Sequence, residues 1–146
     1  MERWWSTPMQ GDKGGTVIVT GRDNLDKVIA GGKYPYLIRV QWDYNAGADG
    51  FPDEIDADLM GRINDALTAE FSKDKTAYLV AIYTGDGRRD WLFYAQNLAI
   101  FGKVFNRALV DLETAPLEIS AESDPEWQAY AEMRELTYIA PDDEEK

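Results

Sequence analysis

The order of hydrophobic periodicities along this chain predicts an α+β domain. It reads as a two-layer sandwich built β-α-β-β-α-β, with an extra strand before it and a short helix after it. Three observations carry that prediction. Residues 36–44 alternate apolar and polar with the period of two of a half-buried strand. Residues 53–71 set apolar side chains four apart, as a helix with one buried stripe requires. Residues 77–84 are almost continuously apolar and return through a glycine turn, as a central strand and its hairpin partner would.

Taken in chain order, Thr16-Val17-Ile18-Val19-Thr20 is β-branched and flanked by glycines, which reads as a strand. A polar connection with a helical turn near 26–29 follows. In 36–44, Tyr36, Ile38, Val40, Trp42 and Tyr44 form the apolar side, and Leu37, Arg39, Gln41 and Asp43 the other. A Gly- and Asp-rich loop over 45–52 leads to the first long helix, whose stripe is Ile55, Leu59, Ile63, Leu67 and Phe71. Pro52 or Asp53 opens it, and Asp53, Glu54, Asp56 and Asp58 suit its positive end.

The strand over 77–84 is expected to be covered on both faces. Residues 85–90 read as a turn and 91–95 as the return strand. Asn97 is a natural cap for a helix running to Leu112, with Leu98, Phe101, Phe105, Ala108, Leu109 and Leu112 on one side. Leu117, Ile119 and Ala121 alternate with Glu118, Ser120 and Glu122 in a last strand. Asp124-Pro125-Glu126-Trp127 reads as a helix start, Asp as cap and Pro at the first helical position, for a helix to about Arg134. From residue 36 onward this is the split βαβ order of ferredoxin-like folds, in which two helices cover one face of an antiparallel sheet. The strand at 16–20 would add at an edge and the last helix would close an end, leaving the other sheet face open.

The 146 residues suit one domain, expected over 1–140, with 141–146 as an acidic flexible tail. There is no histidine and no cysteine, which removes the commonest neutral-pH base, the thiol nucleophile and the usual zinc, copper and haem ligands. No nucleophile-elbow serine or P-loop is present. The expectation is therefore no enzyme, no cofactor and no metal. The acidic loop holding Asp43, Asn45, Asp49, Asp53 and Glu54 invites a calcium register, but starting at Asp43 puts Ala48 where the sharp turn needs glycine. Starting at Asn45 ends on Asp56 instead of glutamate.

The formal charge is −12, and residues 111–146 hold 12 acids and 2 bases of the chain's 27 and 15. A negative field argues against nucleic acid and anionic membrane as partners. An acidic end serves either solubility or contact with a basic protein. No signal peptide or transmembrane run is visible, so a cytoplasmic location is expected.

The segment Thr84-Gly85-Asp86-Gly87-Arg88-Arg89-Asp90-Trp91-Leu92-Phe93-Tyr94 resembles the TG.G.R.W.FY stretch of a bacterial family called domain of unknown function 695. The strand 38–44, the Gly50-Phe51-Pro52 step and Asp124-Pro125-Glu126-Trp127 with Tyr130 resemble that family too. The resemblance runs from about 16 to 130 and implies no catalytic residues. Members of the family are sometimes fused to a domain similar to the regulator of ribonuclease E activity B, an inhibitor. By analogy alone, that implies a regulatory role.

Two surfaces are candidates for binding. Arg88 and Arg89, beside Trp91 and Tyr94, could grip a carboxylate or phosphate while an aromatic face stacks the ligand. The opposing reading has them paired with Asp86, Asp90 or neighbouring acids. Trp4, Trp5 and Trp127 lie near the chain ends and either anchor an interface or fold back to cap the sheet. The sequence thus points to a non-enzymatic protein-interaction or regulatory domain, self-association included, or to a binder of a small anionic ligand.

Overall fold

The computed structural model describes residues 3–139. Six strands, β1 (Arg3–Gln10), β2 (Thr16–Asp23), β3 (Tyr36–Asp43), β4 (Ala77–Gly85), β5 (Arg88–Ala95) and β6 (Leu117–Ser123), form one sheet in the order β1-β2-β4-β5-β3-β6. Every neighbouring pair is antiparallel. Four helices join them: α1 (Asp26–Gly31), α2 (Glu54–Lys73), α3 (Leu98–Leu109) and α4 (Gln128–Thr137). The expected acidic tail at 141–146 lies outside the described residues.

The two long helices form where local chemistry asks for them. Asp53 caps α2 by accepting from the Asp56 N–H at 2.8 Å, and Asn97 caps α3 by accepting from Ile100 at 2.9 Å. Met60, Ile63, Leu67 and Phe71 of α2 and Phe101, Val104 and Phe105 of α3 are buried against Ile38, Val40, Trp42, Trp91 and Phe93. Ile55, expected in the α2 stripe, is 80% exposed, and the fully buried residues of α2 begin at Met60.

The opposite face is not open, which corrects the two-layer reading. Trp127, Tyr130 and Met133 pack on it against Trp5, Val19, Leu37, Val80, Leu92 and Tyr94, with Leu25 at one side. This is why Leu37, on the expected polar side of β3, is buried. Helix α4 does not close an end of the sheet; it lies on the far face against β1 and β2. Asp124 to Trp127 form a turn rather than the first helical turn, with Trp127 N–H bonded to the Asp124 carbonyl at 3.0 Å. The helix begins at Gln128 and runs on to Thr137.

The N-terminal segment is also a correction. The strand expected at 16–20 is longer and is the second arm of a hairpin whose first arm is β1. Trp5 is buried in the far-face core and its Nε1 donates to Thr137 Oγ1 at 2.9 Å. The fold-back reading of the terminal indoles therefore holds for Trp5 and Trp127, while Trp4 is half-buried.

Candidate functional site

The connection between β4 and β5 is tighter than the six-residue turn the sequence suggested. Asp86 (φ 52°) and Gly87 (φ 83°) make a two-residue turn with positive φ at both positions, the pairing that matches strand twist. Gly85 already pairs with Arg88 and Thr84 with Arg89, so both arginines belong to β5. Gly87 N–H donates to Gly50 at 2.9 Å and its carbonyl accepts from Tyr44 N–H at 3.0 Å, which pins the turn to the loop after β3. On its other side the Asp86 carboxylate accepts from Lys13 N–H at 3.2 Å. Any side chain at Gly11 or Gly15 would collide with that carboxylate.

Strand placement sends the two arginines to opposite faces. Arg89 points to the helix face, its Nη1 3.8 Å from Met60 Sδ and its guanidinium 5.1 Å from the Trp91 ring. Burial lowers its pKa, and its Nε has no hydrogen-bond partner among the described residues. Trp91 is fully buried beside it and donates to Asn64 Oδ1 at 3.2 Å. Tyr94 and Trp127 are together, but inside the far-face core, with rings stacked 4.1 Å apart at 8°. Trp127 holds a left-handed backbone (φ 57°) while its indole donates to Tyr34 O at 2.9 Å. Of the five residues singled out in the sequence, Arg88 alone lines the cleft beside the β4–β5 turn, and the five do not share a surface.

That cleft of about 420 Å³ lies on the far face, between α4 and the β1–β2 turn. Arg39, Tyr83, Arg88, Asp90 and Leu92 form its floor, α4 walls it with Glu132, Met133 and Leu136, and the β1–β2 turn closes the other side. Its charged lining is Asp12, Asp43, Asp86, Asp90 and Glu132 against Lys13, Arg39 and Arg88. The bases are partly engaged: Arg88 Nε lies 3.3 Å from Asp90 Oδ1, and Arg39 Nη1 pairs with Glu122 at 2.8 Å. Asp90 Oδ1 is buried and the Arg88 contact is ionic, without a hydrogen bond. Burial raises the Asp90 carboxyl above the ordinary carboxylate range, against the pull of Arg88 and Arg39. Burial likewise pushes the Tyr83 hydroxyl up to about 12.

The family profile described as "Family of unknown function (DUF695)" matches residues 4–133. The chain belongs to that family. The matched span takes in the Asp86-Gly87 turn, the cleft floor and α4 as far as Met133, so this DUF695 chain carries nearly all of the cleft within the family region. No curated protein and no solved structure matches it.

Acids that the sequence grouped as a loop cluster have local duties in the DUF695 chain. Asp49 accepts from Phe51 N–H at 3.0 Å and Asp53 caps α2. Among the described residues no group of three or more His, Cys, Asp or Glu converges to hold a metal ion. No helix of the described residues is long and apolar enough to cross a membrane. The cleft residues missed at the sequence level include Arg39, Tyr83 and Glu132, while Asp90 was named there as a partner for the arginines and does pair with Arg88. Arg39 and Asp43 were visible as the polar side of the β3 alternation; which helix would rise beside them was not.

Proposed function

We propose that this DUF695 chain is a non-enzymatic interaction domain that binds a basic segment of a protein partner, with lysine or arginine side chains entering the far-face cleft. The observation that carries the reading is the charge of that cleft, among the described residues five carboxylates against three bases, in a chain of net charge −12. A cleft so lined attracts cations and repels anions, and its apolar floor and wall at Leu92, Met133 and Leu136 suit the aliphatic stem of a lysine or arginine. Capturing a basic surface in this way would let the chain regulate or inhibit its partner by occlusion. The absence of histidine and cysteine supports a binding role over a catalytic one.

We also assign the inner unit β3-α2-β4-β5-α3-β6 to the ferredoxin-like type. Its strand order β4-β5-β3-β6 and its two long helices on one face support this. The β1–β2 hairpin and α4 are then additions, and the cleft lies where those additions meet the sheet.

The test is a titration of the isotope-labelled chain with the peptide acetyl-Lys-Gly-Lys-Gly-Lys-amide, followed by amide chemical shifts. Shifts at Val17, Tyr83, Leu92 and Glu132 that fade at high salt and in Asp12→Lys/Glu132→Lys are expected. A cleft that ignores the basic peptide, or takes its glutamate counterpart equally well, would sink the proposal.

A second reading, a small anionic ligand, has its own observation, away from the β4–β5 turn. A recess of about 390 Å³ at the C-terminal end of α2 is lined, among the described residues, by Arg22, Lys75, Thr68, Ser72, Trp4 and Tyr78 and by no carboxylate. Benzoate and inorganic phosphate are the probes for it, with shifts at Ser72 and Tyr78 as the readout.

A further inference from the structure

A six-stranded open sheet has two edges, and the two are built differently. On β1, Pro8 offers no N–H and interrupts any ladder a newcomer could form. On β6 there is no proline, no lysine and no bulge, and the only charges guarding the edge are the acids Glu118 and Glu122, which repel acidic strands and not basic ones. Every residue of β6 after Leu117 is exposed, and Ile119 keeps 51% of its surface in water.

The direction of the β6 main chain follows from one bond. Asp124 N–H donates to the Pro35 carbonyl at 2.8 Å, which extends the β3–β6 register one step past Tyr36 and Ser123. Bonded pairs alternate along an antiparallel ladder, so Glu118, Ser120 and Glu122 are the residues that exchange bonds with β3. Ile119 and Ala121 therefore turn both N–H and C=O outward. Leu117 fits the same parity, because its N–H turns back to Ala115 O at 2.9 Å instead of reaching β3.

The side chains are sorted as cleanly. Leu117, Ile119 and Ala121 stand opposite Trp42, Val40 and Ile38 on the helix face, and Glu118, Ser120 and Glu122 opposite Gln41, Arg39 and Leu37 on the far face. A strand added at this edge would meet apolar groups on one side and two carboxylates on the other, Glu118 and Glu122. Glu122 already holds Arg39 at 2.8 Å and keeps a second oxygen for a newcomer. A second copy of β6 suits that poorly: the register that pairs the whole strand with itself sets Glu118 opposite Glu122 twice, and like charges directly opposite are destabilising.

We infer that β6 receives an extended segment of a partner protein as a seventh strand. That segment carries lysine or arginine facing Glu118 and Glu122 and apolar residues facing Ile119 and Ala121. The inference rests on the reading of the chain as a domain that binds basic protein segments, but it uses a surface separate from the cleft. The main-chain bonds of Ile119 and Ala121 supply affinity, and the alternating side chains supply selectivity.

The probe is acetyl-Thr-Lys-Val-Thr-Val-Lys-Thr-amide, titrated into the labelled chain. Ile119 and Ala121 amides should shift and gain protection from hydrogen exchange. A version with glutamate for both lysines should bind about tenfold more weakly or worse, the effect of two reversed cross-strand charge pairs. Ala121→Pro removes an outward N–H while sparing the bonds to β3, and should abolish the effect. Should that variant misfold, Glu118→Lys/Glu122→Gln must switch the preference to the glutamate peptide. Shifts confined to Tyr83 and Glu132 would overturn the edge while supporting the cleft. Equal binding of both peptides, no shift at millimolar peptide, or a β6-mediated dimer that the peptide cannot displace would each overturn it as well.

Discussion

The Tyr94 hydroxyl donates to Asp124 Oδ2 at 2.6 Å, and through that bond strand β5 sets where helix α4 begins. The same carboxylate accepts from Gln128 N–H at 2.9 Å and Ala129 N–H at 3.0 Å, while the Tyr94 oxygen accepts from Tyr130 N–H at 3.3 Å. Three otherwise unmatched donors of the helix start are thus satisfied by two side chains. The indole of Trp127 lies flat on Tyr94 between them.

Asp124→Ala leaves the buried Tyr94 hydroxyl and two helix N–H groups without acceptors, and should cost about 2–3 kcal/mol in urea unfolding at pH 7. Burial acts to raise the Asp124 carboxyl, but the bonds from Tyr94, Ala129 and Gln128 outweigh it and hold the group below its ordinary 3.8. A depressed carboxyl contributes stability above its unfolded value and loses it as pH falls through the folded one. The gap between wild type and Asp124→Ala should therefore shrink below pH 3.8.

Asp90 titrates in the opposite sense. Its carboxyl is raised by burial, so its contribution is full below the ordinary 3.8 and is lost as pH rises through the folded value. Asp90→Asn should melt at or above the wild-type temperature at pH 7, with the advantage vanishing in acid. Thermal unfolding across pH checks both ends.

Glycines divide sharply by surroundings. Gly85 (φ 149°) faces the Thr16 carbonyl and the Val17 Cα of β2, and a methyl there meets backbone that cannot move aside. Gly85→Ala should cost about 2–3 kcal/mol, within the range of overpacked interiors. Gly61 lies inside α2 with nothing near it, and Gly61→Ala should gain about 0.5–1 kcal/mol from helix propensity alone.

Trp5 links the first strand to the last helix through Thr137 Oγ1, which itself donates to Met133 O at 2.7 Å. Trp5→Phe should cost about 1–2 kcal/mol for the lost bond and the unfilled volume. Amide exchange should quicken in α4 more than in α2, since α2 packs on the other face.

What the sequence determined by itself rests on near neighbours. Asp53 and Asn97 act within three residues of themselves, so their caps were readable. So was the buried run of Ile63, Leu67 and Phe71, whose spacing is the helix's own period. Arg88 and Arg89 read as part of a six-residue turn over 85–90, because their separation onto two faces hangs on turn length. Gly85 pairing directly with Arg88 makes both of them strand residues, and adjacent strand residues point apart. β1 was hidden because Trp4 beside Trp5 and a proline at position 8 blur its alternation; it is a strand because β2 offers it a ladder. The cleft belongs wholly to the tertiary structure. Arg39 and Asp90 are far apart in the chain and are brought near by the β3–β5 pairing, and Glu132 joins them because the Tyr94–Asp124 and Trp5–Thr137 bonds help hold α4 on the far face. Local periodicity carries no term for such long-range contacts, so the elements were legible in the sequence while the surface they jointly leave open was decided by packing.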